Sequence, residues 1–401
     1  MMKNNILLLF LILALSACTN QLKKPIDSTL PILDLTKDYP KKELDIHEIA
    51  DVEYIPLETN DSSLIKLGHA LTISEKYIIT YDFNGPIFIF NRKGKHIRTI
   101  NHYGPGPKEH STILSLAVDF NKEEYYIYEH KKIQVYDFYG EWKCSFKVPD
   151  ETYYNSLFNY NEQYLICLNE YQDLDYAHIK KTPIDKRPYL LIDKKTSAHM
   201  PLSINIEQWM STTFNARIVK IDKNTSYIES TNLSIIPRML ANSHDFLISE
   251  FTKDTLYSYK DNHLTPLAIR HPSVQSQKTP IVISPHYYTD NYLFFKPVEL
   301  RADKDYAFAP YDKAPLLMWN RTNNEILHIT RLYDSNRQGN RDIKANMKGQ
   351  WIEQPNCVIT SIPAFQLCEE YEAGQLKGEL KEVASKLKED DNYVVAIYKF
   401  K

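Results

Sequence analysis

Glycine is scarce: the 401 residues hold 10, against a usual share of roughly 7%. No Gly-Gly pair, phosphate-cradling loop or G-x-S-x-G elbow occurs, so nucleotide hydrolysis and serine-esterase chemistry lack their local signatures. Charge of one sign is also lacking. With 48 Lys+Arg against 51 Asp+Glu the net charge is −3, and nucleic acid is not an expected partner. Cysteine is limited to five residues, with no C-x-x-C pair and no Cys/His ligand spacing, so neither a structural zinc nor a cofactor is expected. None of the four tryptophans is followed by Asp, which removes the WD signature, and the Ser-x-Asp-x-Gly box of sialidases is missing. What is abundant is aromatic: 29 Tyr and 16 Phe, residues that favour strands.

The longest apolar run, Ile6 to Leu15, is too short to span a bilayer, which takes about 20 residues. Behind Lys3 it reads as a secretory signal, residues 1–17. Leu15-Ser16-Ala17-Cys18 resembles the lipobox of bacterial lipoproteins, which implies cleavage before Cys18, lipidation of that thiol and a membrane partner through the anchor. Surface-exported lipoproteins of Gram-negative bacteria often carry an acidic cluster after the lipidated Cys. Thr19 to Pro25 has none, with Lys23 and Lys24 instead, so the expected location is the periplasmic face of the outer membrane. Residues 18–45, polar and holding Pro25, Pro31 and Pro40, read as a flexible tether. The folded domain is expected over 46–401. Cys144, Cys167, Cys357 and Cys368 could pair in three ways or stay free; a chain this long does not need staples.

Ile87 to Lys95 aligns with Ile133 to Glu141 at an offset of 46 positions, each a strand, a turn with Gly at one fixed place, and the start of a second strand. Further β-rich runs precede both, Tyr77 to Tyr81 and Tyr125 to Tyr128, and weaker copies follow around Tyr189, Phe246 and Leu316. A period of about 40 to 50 residues with three or four strands per unit points to propeller blades. These strands are apolar on both faces, as strands covered on both sides are. Helical period is confined to Leu376, Leu380, Val383, Ala384 and Leu387, one amphipathic helix with a solvated charged face. The terminal run Tyr393 to Phe400 is an evident strand, expected to close the ring by pairing into the first blade.

Tyr103-Gly104-Pro105-Gly106-Pro107-Lys108-Glu109-His110, followed by Val118-Asp119, Tyr126 to Tyr128 and Lys132 to Asp137, resembles an NHL-type repeat. With Asp51 to Thr59, Glu250 to Tyr257 and Leu376 to Lys381, the chain is similar over nearly all its mature length to the six-bladed β-propeller lipoproteins of gut-type Gram-negative bacteria. His110 departs from the pattern, which usually has an aromatic residue after the Glu. The resemblance implies six blades in an all-β fold. Residues 46–401 then give about 59 residues per blade, more than the 46-residue spacing, so insertions are required.

His47-Glu48-Ile49-Ala50-Asp51 opens like a zinc-protease H-E-x-x-H helix but ends in Asp and leads into a strand, so the two-ligand geometry fails and no metal is expected. His102, Lys108 and Glu109 on the Gly-Pro-Gly loop are the ligand-binding candidates, because that loop joins one blade to the next near the channel. The same rigid turn also suffices merely to connect blades. No catalytic residue is recognisable. The expected function is a non-catalytic binding or scaffold module for a glycan, peptide or envelope protein; the alternative is a metal-dependent hydrolase or lyase of the lactonase kind, whose ligands would converge from separate blades.

Overall fold

In the computed structural model the described residues are 30–65, 70–82, 85–129, 131–149, 152, 154–169, 187–205, 215–220, 226–231, 237–299, 314–337, 343 and 353–401. Six antiparallel sheets follow one another along the chain as the blades of a propeller. Blade 1 is Ala70–Ile73, Tyr77–Tyr81, Ile87–Asn91 and His96–Ile100; blade 2 is Ser115–Asp119, Glu124–Glu129, Lys132–Asp137 and Trp142–Lys147. Blade 3 is Tyr154–Asn159, Tyr164–Asn169, Tyr189–Asp193 and His199–Pro201, and blade 4 is Met239–Asn242, Asp245–Ile248, Thr255–Lys260 and His263–His271. Blade 5 holds Ile281–Tyr288, Tyr292–Glu299, Leu316–Asn320 and Glu325–Tyr333, and the described strands of blade 6 are Cys357–Ile362, Val394–Phe400 and Ala50–Pro56. A two-stranded ribbon, Asn215–Lys220 with Ser226–Thr231, lies in sequence between blades 3 and 4.

The doubly apolar strands are buried on both sides, as their composition requires: Ile87 to Phe90 and Tyr125 to Tyr128 are all within 2% of full burial. The cover comes from the neighbouring blade. Tyr77 of blade 1 stacks on Phe120 and meets Phe138 edge-on, both of these from blade 2. The repeat's fixed glycines, Gly94 and Gly140, have φ of 81° and 90°, the region where a side chain is strained. A Cβ on Gly94 would also lie 2.1 Å from the Pro56 carbonyl oxygen of blade 6. The turn is therefore glycine for two reasons at once.

The terminal run is a strand as expected, but it closes the ring within the last blade, against a strand from the start of the chain, and not in blade 1. Val394–Phe400 pairs with Ala50–Pro56 on one side and Cys357–Ile362 on the other, joining both ends of the chain in one sheet. The helical region departs from expectation: two short helices, Ala364–Glu372 and Gly378–Ala384, interrupt blade 6. Leu376, Leu380 and Ala384 are buried as the period requires, and Leu367 of the unforeseen first helix joins the same core with Tyr54 and Tyr398.

Part of the segment 18–45, whose composition reads as linker, is built into the propeller. Ile32–Asp34 pairs in parallel with the outer strand of blade 4, and Lys41–Asp45 in parallel with that of blade 5. Leu33 and Leu44 are fully buried there, enough apolar anchoring to order a segment whose overall composition reads as linker. Asp45 and Glu48 then form a reciprocal capping box around Ile46–Glu48, and His47 contacts the buried Asp334 at 2.9 Å. The cysteines Cys144, Cys167, Cys357 and Cys368 are free thiols. Among the described residues no helix is long and apolar enough to cross a membrane.

Candidate functional site

Strands alternate in direction, so the turns from first to second strand open on one face of the disc and the connections from second to third strand on the other. The two faces differ sharply. Turns on the first face have two to four residues, such as those between Ile73 and Tyr77 or Asn242 and Asp245. On the opposite face the connections between Asn169 and Tyr189, Glu299 and Leu316, and Ile362 and Val394 run to 19, 16 and 31 residues, while those of blades 1, 2 and 4 stay at five, two and six. The three long ones account for the insertions that the 46-residue repeat could not hold.

The Gly-Pro-Gly loop belongs to this long-connection face, crossing from His96–Ile100 to Ser115–Asp119. Its shape is held by its own backbone and by blade 2. The His110 amide donates to the His102 carbonyl at 2.9 Å and the Gly104 amide to the His110 carbonyl at 3.1 Å. Gln134 Nε2 donates to the carbonyls of Pro107 and Glu109 at 3.0 and 2.9 Å, and the Tyr136 hydroxyl to that of Lys108 at 2.9 Å. Glu109 folds back so that its Oε2 accepts from the Gly106 amide at 2.7 Å. A Cβ on Gly104 would fall 2.2 Å from that oxygen, so the glycine makes room for the carboxylate. Lys108 Nζ sits 5.0 Å from the centre of the Trp142 ring.

His102 stacks flat on Tyr136 with centroids 4.9 Å apart, and His110 meets the same ring edge-on at 6.4 Å. His110 is 2% exposed and occupies the aromatic position of the pattern. Burial pushes its imidazole below the ordinary range, against the opposing pull of Glu129. The structure thus brings the three candidates His102, Lys108 and Glu109 together on one loop, each engaged in holding that loop. Among the described residues no group of three His, Cys, Asp or Glu is disposed to hold a metal ion.

The motif from Glu250 to Tyr257 forms a second fixed point on this face. Buried Glu250 accepts from the Tyr189 hydroxyl of blade 3 at 2.9 Å and pairs with Arg238 at 3.4 Å. Arg270, also buried, donates to the Phe251 carbonyl and faces Asp254 at 3.7 Å. Two cations and two carboxylates balance, which suits a clamp on the turn.

A family described as a domain of unknown function, DUF4934, matches residues 30–399. The chain belongs to this family. No curated protein matches it. The fold is shared with a "Putative exported protein" of Bacteroides fragilis, at 15% identity and a TM-score of 0.62 over 92% of this chain and 99% of that one. A protein of unknown function from Bacteroides thetaiotaomicron is similar at 10% identity and TM-score 0.39, covering 87% and 76%. Virginiamycin B lyase from Staphylococcus aureus stands at 11% identity and TM-score 0.38, covering 87% and 99%. For this DUF4934 member, the Bacteroides fragilis likeness bears on fold alone. Cys18 lies outside the described residues.

The other mouth of the channel was not visible in the sequence as a site at all. There the segment Glu353 to Asn356 runs across from blade 1 to blade 4: the Glu353 amide donates to the Ile73 carbonyl at 3.1 Å and the Asn356 amide to Asn242 Oδ1 at 2.6 Å. Asn356 Nδ2 also donates to Asp290 Oδ2 of blade 5 at 2.9 Å.

Proposed function

We propose that this DUF4934 protein is a lipid-anchored envelope protein whose propeller presents its long-connection face to a glycan, peptide or protein partner without turning it over. The observation that carries the reading is the asymmetry of the disc: short turns and a crossing segment on one face, long connections on the other, where recognition surfaces are usually built. The rigid Gly-Pro-Gly loop fits this role, since a pre-shaped loop loses little entropy on binding. A cell-envelope address is supported by the lipobox and by the exported description of the Bacteroides fragilis relative in fold.

The strap adds geometry. Ile32, the first residue of the strand added to blade 4, lies fourteen positions after Cys18, and that stretch fully extended reaches roughly 50 Å at most. The rim at blade 4 would thus lie nearest the membrane. Each buried CH₂ of an acyl chain contributes about 0.8 kcal/mol to holding it there.

The test has two arms. Cys18→Ala is expected to move the protein from the membrane fraction to the soluble one and remove the lipid mass; unchanged partition and mass would overturn the anchor. The protein is then screened against glycans, peptides and envelope extracts with and without divalent cations. Cation-dependent product formation would replace the binding reading with the hydrolase or lyase one. Binding lost in His102→Ala or Lys108→Ala places the site at the loop, and binding that survives both moves it elsewhere on the face.

A further inference from the structure

A cavity of about 250 Å³ opens beside the crossing segment, between the first turns of blades 1 and 2. Its walls include Tyr77, Phe120, Asn121, Glu75, Lys76 and Glu353. They are fixed in place. Ser74 Oγ accepts from the amides of Lys76 and Tyr77 at 3.2 and 3.1 Å, the Tyr77 hydroxyl donates to Glu123 at 2.8 Å, and the Glu353 amide is held on blade 1.

Within these walls one charge is left over. The Glu353 carboxylate, half-buried, makes no hydrogen bond or ion pair with a described residue. The charged groups near enough to act on it are His244 and Lys76, both basic, and Asp119 and Glu75, both acidic. Asp119 is already paired with Lys194 at 2.6 Å, so it neither needs nor supplies a counter-charge. Lys76 is exposed, and a solvated lysine screens a half-buried carboxylate poorly. Partial burial chiefly pushes the Glu353 carboxyl upward, with His244 and Lys76 opposing and Asp119 and Glu75 adding to it.

We propose that this cavity is a ligand site, separate from the long-connection face, and takes a small organic ammonium ion with Glu353 as counter-charge and Tyr77 and Phe120 against its methylene groups. The volume lies below that of pockets for drug-sized ligands, which suits a molecule of a few carbons. A hard divalent cation is a poorer match, because it asks for six to eight oxygen ligands.

The experiment uses the full chain and two probes that differ only in charge, n-butylammonium chloride and n-butanol, with calcium chloride as a third, each followed by ligand-observed NMR and thermal shift. Butylammonium is expected to bind and butanol not. Glu353→Gln is expected to weaken butylammonium about tenfold, the loss of one charge-assisted contact, and Lys76→Gln to strengthen it by removing a competing cation. Equal binding of butanol, calcium binding without butylammonium binding, or an affinity untouched by Glu353→Gln would overturn the proposal. If Glu353→Gln does not fold, Lys76→Gln on its exposed side chain decides: unchanged or weaker affinity overturns it.

Discussion

Lys194 Nζ and Asp119 Oδ2 meet at 2.6 Å across the seam of blades 2 and 3, with 4% and 2% of their side chains exposed. The ammonium also donates to Asn159 Oδ1 at 2.6 Å and to the Asn161 carbonyl at 2.7 Å, and lies 5.2 Å from the Tyr126 ring centre. Every proton of the lysine thus has an oxygen to meet, which is the condition for a buried charge to persist. Burial lowers the ammonium's proton affinity, with Asp119 opposing.

Lys194→Met should therefore cost about 3–5 kcal/mol in urea unfolding, because Asp119 is left buried without its cation. Combining it with Asp119→Asn should recover a large part of that loss. Equal destabilisation by the single and double substitutions would show that packing, not charge, holds this seam.

Two glycines separate backbone strain from steric clash. Gly374, at φ 68° and with no atom within 4 Å of the point where a Cβ would stand, should lose only about 1–2 kcal/mol on Gly374→Ala. Gly94→Ala adds a Cβ 2.1 Å from the Pro56 carbonyl, and should lose more than that and loosen the seam between blades 6 and 1. Equilibrium unfolding of the two variants side by side checks the order.

Acidification should destabilise the protein through histidines held neutral. The imidazole of His110 lies below its ordinary value of 6.5 chiefly through burial, and that of His286 falls to about 3 for the same reason with Lys296 assisting. The unfolded chain then binds more protons than the folded one, so stability is full above pH 6.5 and falls as the pH drops below it, for His286 down to about 3. Each group contributes a slope of up to about 1.4 kcal/mol per pH unit. His110→Phe should flatten the dependence of the melting temperature between pH 7 and 5; an unchanged slope would place the effect elsewhere.

Removing residues 393–401 deletes the middle strand of blade 6 and leaves Ala50–Pro56 and Cys357–Ile362 without their shared partner. The truncated chain should lose cooperative unfolding and expose strand edges to aggregation. A melting curve like that of the intact chain would show that closure lies elsewhere.

Much of this was legible locally. The propeller could be read because the blades repeat a local pattern of two-sided apolar strands, joined in blades 1 and 2 by a turn glycine, Gly94 and Gly140. The closing strand and the helix around Leu380 were legible for the same reason, since period and burial are properties of adjacent residues. The helix Ala364–Glu372 was missed, although Ala364 and Leu367 at helical spacing after Pro363 were a usable signal.

Sequence alone determined that this chain would form an all-β ring of blades, because strand patterning is dictated by which side chains must leave water. Tertiary structure decided how the remaining polar residues are used. Ile32–Asp34 and Lys41–Asp45 become strands only because the outer edges of blades 4 and 5, more than 200 positions away, offer unpaired backbone groups. Lys194 reads as a turn charge until Asp119 and Asn159 converge on it from two other segments. Glu109 and Lys108 read as charges on a loop until that loop folds back on them, and Glu353 reads as nothing until the ring closes around the channel. Electrostatic partners and hydrogen bonds depend on distances in space that no local spacing encodes, so the scaffold was written in the pattern and the sites in the packing.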